Sequence, residues 1–315
     1  MRALRLLSIA ALMASSAGQA DAKDKITIGM VNLFNQAAYF TGMDTAVRQE
    51  AAAFDNVEVI STDAGFDIAK LASDIDDLLS KHVDGLIISA GPTETLPASL
   101  AAIQAAGIPV VFVDRLWKNT NLTTPWNWVG AQNTLMGQEI GAYINKTLGG
   151  KGDVLVIRGG PADNSIGIDR TTGFTKALEG GTFNVVVAPG FGNWGNDGGY
   201  KVMADILAKM PKIDAVFCEN DSMCLGAQKA AQAANRNEMV FAASDAGKET
   251  LHEMLRNGTN FVATAVNDSD QIGRTGFHHL MAMMAGAKIA KLTPLPSPLV
   301  LKDDAYKRYD PSKVF

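Results

Sequence analysis

Gly107-Ile108-Pro109-Val110-Val111-Phe112-Val113-Asp114-Arg115 runs four apolar residues straight into an acid and a base. A short, unalternating, β-branched run of this kind reads as a strand buried on both faces, the environment of a parallel sheet covered by helices on each side. Its end then lies at the carboxyl edge of the sheet, where open α/β folds bind ligands. Asp114 and Arg115 are therefore candidates for a site, set against the plainer reading of two solvated loop charges.

Working outward from this strand, the chain alternates strand and helix from Lys25 onward. Ile26 to Val31 reads as a strand, Tyr39 to Phe54 as a helix, Val57 to Ser61 as a strand, Asp67 to Lys81 as a helix and Gly85 to Ser89 as a strand. Glu94 to Ala106 follows as a helix, opened by Pro92-Thr93-Glu94 and closed by Gly107 and Pro109, and leads into Pro109 to Val113. Such spacing means βαβ units and a parallel sheet. After an irregular segment from Lys118 to Pro125, the pattern repeats. Helices are expected at 134–147, 169–179, 198–210, 221–234 and 248–256, with strands at 153–158, 183–188, 214–218, 238–242 and 260–265. The two halves look like one architecture written twice. A last helix, Asp270 to Ala285, and a tail with Pro294, Pro296 and Pro298 are too little for a third domain and should complete the first two.

At 315 residues with 47% hydrophobic content the chain is long enough for two domains of about 100–200 residues each. Twenty-eight basic against 33 acidic residues leave a net charge of −5 and no basic cluster, which argues against nucleic acid as a partner. Arg2 and Arg5, the apolar run Leu6 to Ala14 and the small residues up to Ala20 have the composition of a secretory signal peptide, cut after Ala20 or Ala22. The run is shorter than the roughly 20 residues that span a bilayer, so an exported, soluble mature chain is expected in the periplasm. Cys218 and Cys224 could pair in an oxidising compartment. Their setting, at a strand end and in a helix's first turn, favours small buried hydrophobes instead.

Enzyme signatures are weak or missing. Gly190-Phe-Gly-Asn-Trp-Gly195 matches G-x-G-x-x-G, but Asn196 to Gly199 is read as prolonging the turn where a dinucleotide motif needs a helix to open. The sequence has no G-x-S-x-G elbow, no phosphate loop and no H-E-x-x-H pair. His82, His252, His278 and His279 lack ligand-like spacing, so neither a metal nor a cofactor is expected. What stands out is a set of polar and aromatic residues just past strand ends: Asn35, Gln36, Tyr39 and Phe40; Asp114 and Arg115; Trp194; Asn220 and Asp221; Asp245; and Asn267. Carboxylates, amides and guanidinium groups match vicinal hydroxyls, and flat aromatic faces cover the C–H side of a sugar or polyol. Each residue also has a structural reading. Asn220 and Asp221 suit a helix cap, Trp194 loop packing, and Tyr39 and Phe40 the core.

Three segments carry a family: Ala215 to Ala227 (AVFCENDSMCLGA), Gly107 to Arg115, and Ala263 to Gly273 (ATAVNDSDQIG). They resemble the ribose-binding-protein-like periplasmic sugar-binding proteins of ABC transporters, and the resemblance spans essentially the whole chain from about Lys25. It implies two Rossmann-like lobes with parallel sheets, joined by a three-stranded hinge, with ligand in the interlobe cleft and enclosed by hinge closure. With residues 1–22 as the signal peptide, the lobes are expected at 23–132 with 268–294 (N-terminal) and 133–267 with 295–315 (C-terminal).

The resemblance also implies roles. Tyr39 or Phe40 would sandwich a sugar against Trp194; Asp114, Arg115, Asn220, Asp245 and Asn267 would bond its hydroxyls; and Asn35 or Gln36 matches the Asn before the aromatic pair, in a loop one residue longer. In the family's S-A-x-R-x-R-x-x-G-F segment an Arg reaches the sugar. Ser165 to Phe174, read in register, puts Ile168 there and matches Arg170 to the second Arg. With that donor gone, ribopyranose is disfavoured and another pentose or a sugar alcohol is expected, with Arg115 as the one guanidinium the ligand meets. The expected function is capture of a small neutral polyhydroxylated ligand and its delivery, by a monomer, to an ABC permease. A sensor subunit for a chemoreceptor or kinase and an exported sugar-modifying enzyme are the alternatives. A sugar-responsive transcription regulator would need a basic helix-turn-helix where the apolar leader stands.

Overall fold

The computed structural model describes residues 25–35, 37–89, 96–116, 122–161 and 165–315. The expected signal peptide, Gln36 and the expected helix-opening residues Pro92 to Glu94 therefore lie outside the described residues. Two six-stranded sheets organise the chain. The first takes β1 (Ile26–Asn32), β2 (Val57–Asp63), β3 (Gly85–Ser89), β4 (Val110–Val113), β5 (Trp126–Ala131) and β11 (Leu292–Leu295) in the order β11-β5-β4-β3-β1-β2, and every pairing is parallel. The second takes β6 (Lys151–Arg158), β7 (Thr182–Phe191), β8 (Ala215–Cys218), β9 (Val240–Asp245), β10 (Phe261–Val266) and β12 (Leu299–Leu301) in the order β12-β10-β9-β8-β6-β7, with only β12 antiparallel. The strand that decided the reading, β4, is fully buried, as a central parallel strand must be.

Helices cover both faces of each sheet. The first lobe packs α2 (Ile68–Ser80) and α3 (Pro97–Ala106) on one face and α1 (Ala38–Ala51) with α9 (Ser269–Met284) on the other, giving one apolar layer around Leu71, Leu86 and Phe112 and another around Met30, Val111 and Phe277. In the second lobe, α4 (Asn133–Thr147) and α5 (Ser165–Leu178) lie opposite α6 (Asn196–Leu207), α7 (Asp221–Ala233) and α8 (Lys248–Met254). The chain passes between the sheets three times: from β5 into α4, from β10 into α9, and from β11 to β12. Pro294 is accommodated because β11 is an edge strand whose outer side needs no ladder donor. A 3-10 turn, Lys302–Lys307, follows β12 and buries Ala305.

Several boundaries differ from the sequence reading. Helix α5 starts at Ser165 and not Asp169, and α6 starts at Asn196 and not Gly198. Cys218 and Cys224 are joined as a disulfide, contrary to the expectation of unpaired core side chains. Asn220 caps α7 immediately after β8, and the first helical turn folds residue 224 back so that the two Cα atoms lie 5.4 Å apart, inside the span a disulfide bridges. Both residues are nonetheless fully buried in the second lobe's core.

Candidate functional site

A cleft of about 310 Å³ opens between the lobes, near the lower limit of small-molecule sites. Its lining comes from the ends of β1, β2, β4, β7, β8, β9 and β10 or the residues after them, together with the first turns of α5 and Phe315. Five residues of that lining, Phe66, Asp114, Asn193, Trp194 and Asp245, hold positive φ without being glycine. Backbone of this kind costs of order 1–3 kcal/mol per residue and persists only where its surroundings fix it, which marks the cleft as built for a task.

On the first lobe, Tyr39 and Phe40 open α1 with their rings edge to face at 5.2 Å, and Phe34 stacks on Phe66 at 4.3 Å. The Trp128 indole donates to the Asp114 carbonyl at 3.2 Å, which steadies the left-handed turn (φ +67°) that aims the carboxylate inward. The Tyr39 hydroxyl, with one proton to give, stands 2.8 Å from Asp114 Oδ1 and 3.1 Å from Asn267 Oδ1. Burial lifts the Asp114 carboxyl above its ordinary value, against the opposing pull of Arg115, the Tyr39 hydroxyl and Arg170. Burial, with Asp114 and Asp245 close by, pushes the Tyr39 phenol well above its usual range.

On the second lobe, Asp245 ends β9. Its Oδ1 lies 3.0 Å from Arg170 Nη1 and accepts from Asn267 Nδ2 at 3.1 Å. Arg170 is only 2% exposed; its Nε donates to Asn133 Oδ1 (2.9 Å) and its Nη1 to the Glu219 carbonyl (2.6 Å). Burial raises Asp245 as well, with Arg170 and Asn267 opposing and Asp114 adding to the rise. Asn220 does two jobs: its Oδ1 accepts from Met223 N (3.0 Å) as the cap of α7, and its Nδ2 donates to the Trp194 carbonyl (3.1 Å). The Trp194 indole lies flat against Gly159, where a Cβ would come within 2.3 Å of the ring. Asp221 points away from the cleft: its carboxylate accepts from Gly247 N (2.8 Å) and Thr264 Oγ1 (2.7 Å) and anchors the turn after β9.

The cleft thus brings together Tyr39, Phe40, Asp114, Arg115, Trp194, Asn220, Asp245 and Asn267. Asn35 is not among the lining residues. Its amide donates to Asp63 Oδ1 (3.1 Å) and its carbonyl accepts from Thr41 Oγ1 (2.9 Å), so it shapes the loop ahead of α1.

The expectation for Ile168 and Arg170 is overturned. Ile168 is 53% exposed and does not line the cleft, whereas Arg170 does. On α5 the residue facing inward is the second of the two register positions. Arg115 is therefore not the one guanidinium of the cleft, and the case against ribopyranose built on a missing donor falls. Contrary to the expected prolonged turn, α6 opens directly after Gly195, as a dinucleotide motif would need. What speaks against it is that the amides of Gly192 and Gly195 already donate, to Arg158 O (2.9 Å) and Gly192 O (3.1 Å).

Sequence reasoning missed Phe34, Phe66, Ser222 and Phe315, which also line the cleft. An aromatic straight after β1 and an exposed one straight after β2 were the available signals for the first two. Nothing local in the sequence marks Phe315.

Two carboxylates, two guanidinium groups, three amides and several flat rings converge on one cleft, with opposite charges in balance. Such a set grips hydroxyls and C–H faces of a neutral molecule. Among the described residues, no three His, Cys, Asp or Glu stand together as a metal site, and no helix is long and apolar enough to cross a membrane.

Comparison with known proteins adds a family. Residues 28–288 match the model for the periplasmic binding protein domain. The ribose import binding protein of Escherichia coli (strain K12) is 27% identical over 297 residues, covering 94% of this chain and 97% of that protein. A xylitol-binding protein of Mycolicibacterium smegmatis is 25% identical, over 93% of this chain and 82% of its own length. Among solved structures, an ABC transporter solute-binding protein from Mycobacterium smegmatis with bound glycerol superposes with a TM-score of 0.84 at 28% identity, over 92% of this chain and 98% of that one.

Proposed function

Because the chain belongs to the periplasmic binding protein domain family, a family of substrate-binding proteins and not of enzymes, we propose that it captures a monosaccharide of about pentose size, or a sugar alcohol, and hands it to an ABC importer. The observation that carries this reading is the facing of Asp114 from one lobe and Asp245 from the other across a small cleft, each beside an Arg and joined through the Tyr39 hydroxyl and Asn267, with Tyr39, Phe40 and Trp194 as the flat walls. An ionised carboxylate accepts two O–H bonds, so opposed carboxylates span a ligand carrying hydroxyls at both ends.

Groups from both lobes must meet the ligand at once, so binding and closure are one event: a ligand that touches both walls favours the closed arrangement by its differential affinity. Ribose, xylitol and glycerol, named for the relatives, bracket the ligand size expected here. Exported as its leader composition suggests, with cleavage after Ala20 or Ala22, the closed form would be what a permease recognises.

The test is calorimetry and thermal shift across pentoses, hexoses and the tetritol-to-hexitol alcohols. Saturable binding of at least one pentose or pentitol, with the ligand recovered chemically unchanged, is expected. Heat and melting temperature unmoved across the whole panel would overturn the reading.

A further inference from the structure

Beyond the residues already assigned, the cleft has a wall drawn from a remote part of the chain. Phe315 sits beside Asp245 and Asn267 in the cleft lining, with its ring edge to face on Tyr39 at 5.2 Å. Two glycines make room for it, one from each lobe. A Cβ at Gly247, after β9, would fall 2.8 Å from the ring, and one at Gly42, on α1, would fall 3.3 Å from the Phe315 Cβ. The segments around the ring are tied down by hydrogen bonds. Gly247 N donates to the buried Asp221, Arg308 Nη2 donates to Asp268 Oδ2 (2.7 Å), and Lys248 Nζ donates to the Lys313 carbonyl (2.5 Å). Residues 310–314 are exposed and Phe315 turns back inward. A solvated approach that leads into a seated aromatic ring behaves as a plug.

Resting on the sugar or polyol reading above, we propose that Phe315 is a specificity-determining residue of this site: it closes the hinge end of the cleft and limits how long a ligand can be. Its contact with Tyr39 also orients the hydroxyl that meets Asp114 and Asn267. Ligand length and the polar grip are therefore set by the same ring.

Calorimetric titration of wild type, Phe315→Ala, Phe315→Leu and Gly247→Ala against the straight-chain tetritol, pentitols and hexitols and the matching aldoses tests this. Phe315→Ala is expected to weaken the wild type's preferred ligand by roughly tenfold, about the worth of one aromatic wall, and to shift the preference toward ligands at least one carbon longer. Phe315→Leu should keep the wild-type order, and Gly247→Ala, which forces the same ring aside without removing it, should change that order. Should Phe315→Ala fail to fold, Gly247→Ala carries the decision alone. An unchanged order of preference in Phe315→Ala or Gly247→Ala, whether affinities hold or all scale together, overturns the inference and leaves the capture reading standing. A wild type that takes no member of the panel overturns both.

Discussion

Arg170 is where structure and binding are most tightly joined, and Arg170→Met shows how far. The substitution keeps much of the aliphatic stem and removes the guanidinium. It deletes the 3.0 Å pair with Asp245 and the bonds to the Glu219 carbonyl (2.6 Å) and Asn133 (2.9 Å), all at a residue 2% exposed. Removing one partner of a buried pair costs about 3–5 kcal/mol. Asp245 can limit that loss by taking up a proton, since burial already raises its pKa and Arg170 is the chief opposing influence. At pH 7 the expected loss is about 3 kcal/mol, roughly 6–12 °C in Tm for a chain of this size. In the variant the folded-state pKa of Asp245 stands further above its unfolded value. Stability is then lost as pH rises through that folded pKa, so the deficit should shrink in acid. Thermal melts of wild type and variant at pH 5 and pH 7 read this directly. Arg170→Met/Asp245→Asn, which leaves no charge to orphan, should recover most of the stability and none of the ligand affinity. The reasoning is refuted by an unchanged Tm for Arg170→Met, or by a double variant no more stable than the single one.

Three further outcomes are expected. Ligand affinity measured by calorimetry should fall as pH drops through the pKa values of Asp114 and Asp245, each raised above its ordinary value by burial, because protonation removes acceptors that the ligand's hydroxyls need; Asp114→Asn should bind weakly and flatten part of that profile. Gly159→Ala drives a Cβ to 2.3 Å from the Trp194 indole, so tryptophan fluorescence should shift and binding should weaken by tenfold or more, an effect of about 1.4 kcal/mol or greater; unaltered fluorescence would count against the packing described. Replacing Cys218 and Cys224 together by Ser should cost about 2 kcal/mol in denaturant unfolding, the loop-closure worth of so short a ring, and a variant as stable as wild type would show that the cap at Asn220 holds the loop unaided.

How much was legible in the sequence follows from what each signal measures. Burial on both faces wrote β3, β4 and β8 as continuous apolar runs, and strand ends pointed to Asp114, Asn220 and Asp245 because parallel sheets place their sites there. Helix starts were harder. Ser165 to Asp169 lacks an acidic first turn, and the match of Ser165 to Phe174 to a segment with two Arg positions does not say which of the two faces the cleft. The disulfide was illegible for a similar reason, since a spacing of six residues joins only if the chain turns sharply between, and that turn depends on Asn220 acting as a cap. Phe315 could not be read at all, because its place is fixed by glycines 68 and 273 residues away in the chain, Gly247 and Gly42.

The third passage between the lobes carries a consequence for assembly. Strands β11 and β12 lie within residues 292–301, yet one supplies the edge beside β5 and the other the edge beside β10. During synthesis both sheets therefore wait on the same ten residues, and until those emerge each lobe presents an open row of backbone donors and acceptors. Neither half can finish ahead of the other, so a cut in that short stretch should leave two incomplete lobes prone to edge-to-edge association.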